Sequence, residues 1–342
     1  MDKYNIISPA TTGSFSQQLS ALADQLGDLL SAERQAGRQL HYTKVFLSDS
    51  ANQEPLLMAS PLMTEHLQQA AYTIIQQPPL NGAKIVLLVK TSDTTDDFVF
   101  HSIRLTDQEA ANQSSYVQTV MLFDKYIEAT RHLNTTLKNH CVRTWIYVRD
   151  IDANYAGVVR ARNDIFRQHG LSIETHFIAS TGIGGRTGER KVLVAMDFLT
   201  CPNIQPDQKT YLQALTHLNP THEYGVAFER ATRLTLSNDR QLFLVSGTAS
   251  INHHGEVVFV GDVRRQTRRL LENIGALLEN GGATMADVKY FVVYLRDMAD
   301  APVVEEVLQS LHPDIPHVLT LAEVCRPQWL VEMECIATKI KD

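Results

Sequence analysis

The chain has 342 residues, 44% of them hydrophobic and 20% charged. That balance excludes a long disordered polymer, which carries too little apolar surface to offset the entropy of ordering. A net charge of −7 has the wrong sign for a general polyanion binder, so no nucleic-acid partner is expected. No apolar run reaches the roughly 18–20 residues that cross a bilayer, and the first residues lack the basic stretch and apolar core of a signal peptide. Cys141, Cys201, Cys325 and Cys335 show no CxxC spacing, so neither a metal site nor a disulfide framework is expected. These features lead to the expectation of a cytoplasmic protein with no membrane contact.

Along the chain one plan occurs three times. Each copy has a helical pattern opened by Gln, a β-branched or aromatic strand ending in Asp, a second helix and a closing strand. In the first copy these are Gln17, Lys44–Asp49 and Lys84–Val89. In the second they are Gln118, Trp145–Asp150 and Lys191–Met196, and in the third Gln266, Val292–Asp297 and Leu330–Cys335. The Gln-to-Asp separations are 32, 32 and 31 residues. Leu270, Leu271, Ile274, Leu277 and Leu278 have the spacing of one buried helical face. Gly225–Leu236 and Gln241–Ser250 read as a β-hairpin, with Val257–Val260 continuing its sheet, whereas the first copy starts too near Gln17 for a full hairpin. Residues 92–97 and Pro202–Pro220 read as linkers. The expectation is an α+β fold of three β-β-α-β-α-β units, 1–91, 92–201 and 202–342, the first truncated.

This pattern resembles the YjgF/Rid superfamily, whose small subunits have this topology and form trimers with clefts between subunits. Ser246–Ser250, Gly261–Thr267, Val292–Asp297 and Leu330–Ala337 carry the resemblance. It implies that one chain forms a pseudo-trimer, occurring as a monomer or a homotrimer. A narrower resemblance, to the chorismatase branch, is carried by Arg143–Tyr147, Ala161–Asn163, Ala179–Gly184, Phe228–Ala231, Ser246–Ser250 and Cys325–Glu332. Asn252–Glu256 departs from the run expected there. The resemblance implies release of pyruvate from chorismate or a related enolpyruvyl acid, without a cofactor. Imine-hydrolysing Rid proteins clamp a substrate carboxylate with an Arg shortly before the closing strand; His317 stands there, and runs 71–75 and 176–179 contain no Arg. An imidazole cannot reproduce the guanidinium fork.

Cleavage of an enol ether begins with protonation of the terminal =CH2 carbon, which calls for a carboxyl group kept protonated. Glu332 and Glu334 lie two apart on a strand and so share a face; Glu334 is expected to be the acid and Glu332 its orienting neighbour. Arg162, Arg230 and Arg326 are the expected carboxylate clamps, the plain alternative being surface ion pairs. Arg143 could brace the fold instead. Cys325 is expected in the pocket wall and Cys335 in the core, since this chemistry needs no thiolate. Thr181 and Gly182 enter as a backbone wall through the Ala179–Gly184 resemblance. His253 and His254, adjacent on a strand, would face opposite ways and not share a metal. Arg264, Arg265, Arg268 and Arg269 read as a solvated helix face. The alternatives are a Rid-type hydrolase of imines or enamines, and a non-catalytic small-molecule binder.

Overall fold

The computed structural model describes residues 2–93 and 98–340. The first sheet comes from β1 (Lys3–Ile7), α1 (Phe15–Gln35), β2 (Gln39–Leu47), α2 (Ser50–Met58), β3 (Ala71–Gln76) and β4 (Ile85–Ser92). The second comes from β5 (Val99–Ile103), the short α3 (Asp107–Ala110), α4 (Ser115–Thr130), α5 (Leu137–His140), β6 (Cys141–Val148), α6 (Ile151–Gln168), β7 (Ala179–Gly184) and β8 (Val194–Thr200). The third comes from β9 (Lys209–Leu212), β10 (Ala231–Thr235), β11 (Arg240–Ala249), α7 (Val263–Asn280), β12 (Val288–Leu295), α8 (Ala301–Leu311), β13 (His317–Leu321) and β14 (Val331–Ile340).

The strand orders are β1-β4-β2-β3, β5-β8-β6-β7 and β13-β12-β14-β11-β10-β9. In each sheet one pair is parallel, β2 with β3, β6 with β7 and β12 with β13, and the helix between its members makes the crossover that parallel pairing requires. The chain is thus α+β with three tandem units of one topology. To the expected order the structure adds a strand before each closing strand. The leading hairpin is reduced to a single strand in the second unit as well as the first. Residues 202–220 contribute β9 to the third sheet. Of the other expected linker, residues 94–97 lie outside the described residues. Val257–Val260 forms no strand: Phe259 has φ +59° and only Val257 bridges back, to Ile251.

A buried glutamine fastens the long helix of each unit to the start of its closing strand. Gln118 accepts from Leu193 N at 2.7 Å and Gln266 from Leu330 N at 2.9 Å. In the first unit the equivalent is Gln18, which accepts from Lys84 N at 2.9 Å, and not the expected Gln17. Gln17 is exposed and closes a capping box with Ser14. The buried face of α7 includes Leu270, Leu271, Ile274, Leu277 and Leu278, as its periodicity requires.

The open edge of each parallel pair meets the next unit. Gln76 bridges to Arg186, Pro79 to Thr320, Ala179 to Glu229 and Ile183 to Val324. One core cluster draws side chains from all three sheets, Tyr42, Trp145, Tyr290 and Tyr294 among them. Charges are buried in this shared interior too: Lys44, Arg143, Asp197, Glu332 and Glu334 are each at most 4% exposed.

Candidate active site

A cavity of about 540 Å³ opens between α6 of the second unit and β11, β14 and residues 325–329 of the third. Arg162, Gly182, Arg230, Cys325, Arg326 and Glu332 all line it. They come from two units and 170 positions of sequence, and the boundary between sheets brings them together.

Arg162 lies on the apolar stripe of α6, with Val158, Ile165 and Phe166 one turn away and buried, so the helix turns it inward. It is 1% exposed, and its Nε and Nη2 find no hydrogen-bond partner among the described residues. A buried guanidinium with unfilled donors is costly unless an anion completes it. Phe228 lies beside it, its ring centroid 5.7 Å from the Arg162 Cζ and 5.5 Å from the Arg230 Cζ. Arg230 is held by Asn219, donating from Nη2 to the carbonyl oxygen at 3.0 Å. Arg326 stacks on Trp329 at 4.7 Å.

Glu332 and Glu334 share one face of β14, but their surroundings differ. Glu334 accepts from Arg143 Nη2 at 2.8 Å, from Trp145 Nε1 at 2.7 Å and from the Thr181 hydroxyl. It does not line the cavity. Glu332 does, and among the described residues no side chain donates a hydrogen bond to it. Burial first, and then the charge of Glu334, push the Glu332 carboxyl up to about 8, against the opposing pull of Arg143 and Arg230. The two carboxyls thus differ in place: Glu332 faces the void, and Glu334 is secured by donors.

Space for Glu332 comes from a β-bulge. The register of β11 with β14 shifts between Val245 and Thr248, and Gly247 lies within this irregularity. A Cβ there would stand 2.0 Å from Glu332 Oε1. Gly247 N donates to Thr181 Oγ1 at 3.0 Å. Thr181 itself stands behind the wall, bonded to Glu334, while Gly182 forms the wall because a side chain there would meet Tyr155 at 2.9 Å.

Burial pushes the Cys325 thiol up to about 12, so it lines the cavity as a neutral group. Cys335 is in the core. Arg143 is buried, bound to Glu334 and also to Ser246 at 3.4 Å; it braces the acid pair. His253 and His254 are exposed in a turn, their ring centroids 3.9 Å apart and the rings tilted by 43°, outside the cavity. Among the described residues no cluster of three metal-ligating side chains occurs, and no helix is long and apolar enough to cross a membrane. His317 opens β13 and contacts Glu305 at 3.0 Å, away from the cavity.

Sequence reading alone passed over Tyr155, Phe228, Trp329 and Gly247 as individual lining residues. Phe228 and Gly247 fall inside quoted motifs, whereas Tyr155 has no local signal. Only the third closing strand carries the carboxyl pair. At the register positions of Glu332 and Glu334, set by Tyr294 and Val292, β8 has Ala195 and Asp197 and β4 has Val86 and Leu88.

The Endoribonuclease L-PSP family profile matches residues 229–339. The 3-aminoacrylate deaminase RutC of Acinetobacter baylyi is 34% identical over 95 residues, 27% of this chain and 75% of that relative. A RutC family protein of Pyrococcus abyssi is 36% identical over 97 residues, 28% of this chain and 76% of its own length. A crystal structure of a chorismatase superposes with a TM-score of 0.70 at 19% identity, covering 98% of both chains. The chain therefore belongs to the YjgF/Rid superfamily, with the family profile matching within its third unit and the fold likeness to a chorismatase covering 98% of its length.

Proposed function

We propose that the chain is a cofactor-independent enzyme that cleaves the enolpyruvyl ether of chorismate, or of a related enolpyruvyl acid, and releases pyruvate. The observation that carries this reading is Glu332: a carboxyl pushed up to about 8 in a cavity that also presents the unfilled donors of Arg162. Glu332 gives its proton to the =CH2 carbon, generating an oxocarbenium ion. Water adds to that ion, a proton returns to the Glu332 carboxylate, and the hemiketal collapses to pyruvate and the ring alcohol. Arg162, Arg230 and Arg326 receive the substrate carboxylates, for which a guanidinium fork suits better than an ammonium. This reading exchanges the roles expected from sequence, since Glu334 is held away from the cavity by three donors.

The 34% identity over 95 residues to a 3-aminoacrylate deaminase favours a second reading, a Rid-type hydrolase of an enamine. Hydrolysis of an enamine also begins with protonation at carbon, so Glu332 would have the same task. Against it, His317 replaces the clamping arginine and is engaged by Glu305. Incubation with chorismate and with small enamine acids, assayed for pyruvate and ammonia respectively, separates the two. We further propose that the units span 1–91, 92–201 and 202–342 as a pseudo-trimer within a monomeric cytoplasmic chain. Each parallel edge is already met by a neighbouring unit, and a covered edge has no need of a second copy.

A further inference from the structure

The first unit lines none of the cavity, yet one of its cations stands behind it. Lys44 projects from β2 into the shared interior and is 2% exposed. Its Nζ lies 3.4 Å from the centroid of the Trp145 ring and donates to the Tyr147 hydroxyl at 3.3 Å, and that hydroxyl donates to Asp197 at 3.0 Å. Trp145 is the residue whose indole N–H holds Glu334. The charged and titratable groups facing Lys44 are Glu334 of β14, Asp197 of β8, Arg143 and Tyr147 of β6, and Arg104 beyond β5. Arg143 pairs with Glu334 and Arg104 with Asp197, so Lys44 is the additional cation in this group.

An ammonium buried with one long hydrogen bond and the rings of Trp145 and Tyr147 is a poor structural brace, because an apolar side chain of equal volume avoids its desolvation. Burial draws Lys44 down to about 8, opposed by the charges of Glu334 and Asp197. A cation on the face of an indole is attracted by the ring quadrupole, which ties the ring to the cation.

We propose that Lys44 is a positioning residue of the active site: seated on Trp145, it fixes the indole that holds Glu334 beside Glu332, the member of the pair that faces the cavity. The proposal rests on the reading of Glu332 as the acid. It gives the first unit a role at a site to which it contributes no lining residue.

The test is difference infrared spectroscopy of the carbonyl band of a protonated carboxyl, followed against pH in the intact chain, in Lys44→Met and in Lys44→Arg. Glu332→Gln assigns the band. Methionine fills the volume of the lysine stem without its charge, and arginine keeps the charge. The charge of Glu334 helps to keep the proton on Glu332, so an indole that no longer holds Glu334 in place weakens that help, and the midpoint in Lys44→Met is expected to fall by about one pH unit. In Lys44→Arg it is expected to stay at the wild-type value. An unchanged midpoint in Lys44→Met overturns the role of Lys44 alone. A band that survives Glu332→Gln overturns the acid assignment itself, and the proposal with it.

Discussion

The carboxylate of Glu334 is saturated by Arg143, Trp145 and Thr181, while that of Glu332, two residues earlier on the same strand face, faces a void with no donor among the described residues. A group held by three donors is fixed, and a group with none can hand a proton to a ligand. The two residues are therefore expected to fail differently. Glu332→Gln should lower kcat by roughly 10²–10⁴-fold, the usual worth of a general acid, with ligand affinity nearly intact. Glu334→Gln leaves Arg143 buried without its anion, a loss of about 3–5 kcal/mol, and thermal melts should register it before any assay does.

The raised Glu332 carboxyl also sets a pH dependence of stability. An unfolded glutamate loses its proton near 4.5, whereas Glu332 in the folded chain keeps it to about 8. Between those values the folded state binds more protons than the unfolded state, so stability falls as pH rises through this window and levels above it. Melting temperatures of the wild type and Glu332→Gln should coincide near pH 4 and diverge toward pH 8, where the variant should be the more stable. Parallel curves across this range would contradict the assignment.

Arg162 is expected to trade stability for binding. Its unfilled Nε and Nη2 make it a liability in the free chain and a clamp when an anion is present. Arg162→Ala should melt at or above the wild-type temperature. Its affinity for a dicarboxylate should fall by roughly 10–100-fold, the equivalent of one charge-assisted hydrogen bond of ~1.5–3 kcal/mol. Arg162→Lys should recover only part of this loss, since an ammonium lacks the fork. Isothermal titration calorimetry together with thermal melts reads both sides.

Gly247 offers a steric test that leaves every charge in place. A methyl group there would meet Glu332 Oε1 at 2.0 Å, so Gly247→Ala must displace the carboxyl. Misplacing a reacting group by about 1 Å can cost ~10²-fold in rate, and that loss in kcat is expected with little change in melting temperature. Wild-type turnover by this variant would show that Glu332 does not act from where it stands.

Much of the architecture was legible because the repeat leaves marks at fixed spacing: the Gln, the strand-end Asp and the closing strand. β3, β7 and β13 were harder to read. Ala179–Gly184 contains two glycines and small side chains of weak strand preference, and it becomes a strand because β6 and the third unit bury it. Gln18 rather than the expected Gln17 fastens the first helix, because Gln18 is the one turned toward Lys84. The members of the site were legible as residue types within motifs. Which carboxyl faces the cavity was not, because Arg143, Trp145 and Thr181, the donors that hold Glu334, come from another unit. Tyr155 was missed because its place depends on packing against Gly182 and Cys325, which no local pattern encodes.

The most direct test is incubation of the purified chain with chorismate in deuterated water, with the released pyruvate trapped before its methyl group exchanges. Wild-type protein is expected to yield pyruvate with one solvent deuterium in the methyl group, and Glu332→Gln to yield almost none. Pyruvate free of solvent deuterium, or undiminished release by Glu332→Gln, would contradict protonation of the methylene carbon by Glu332.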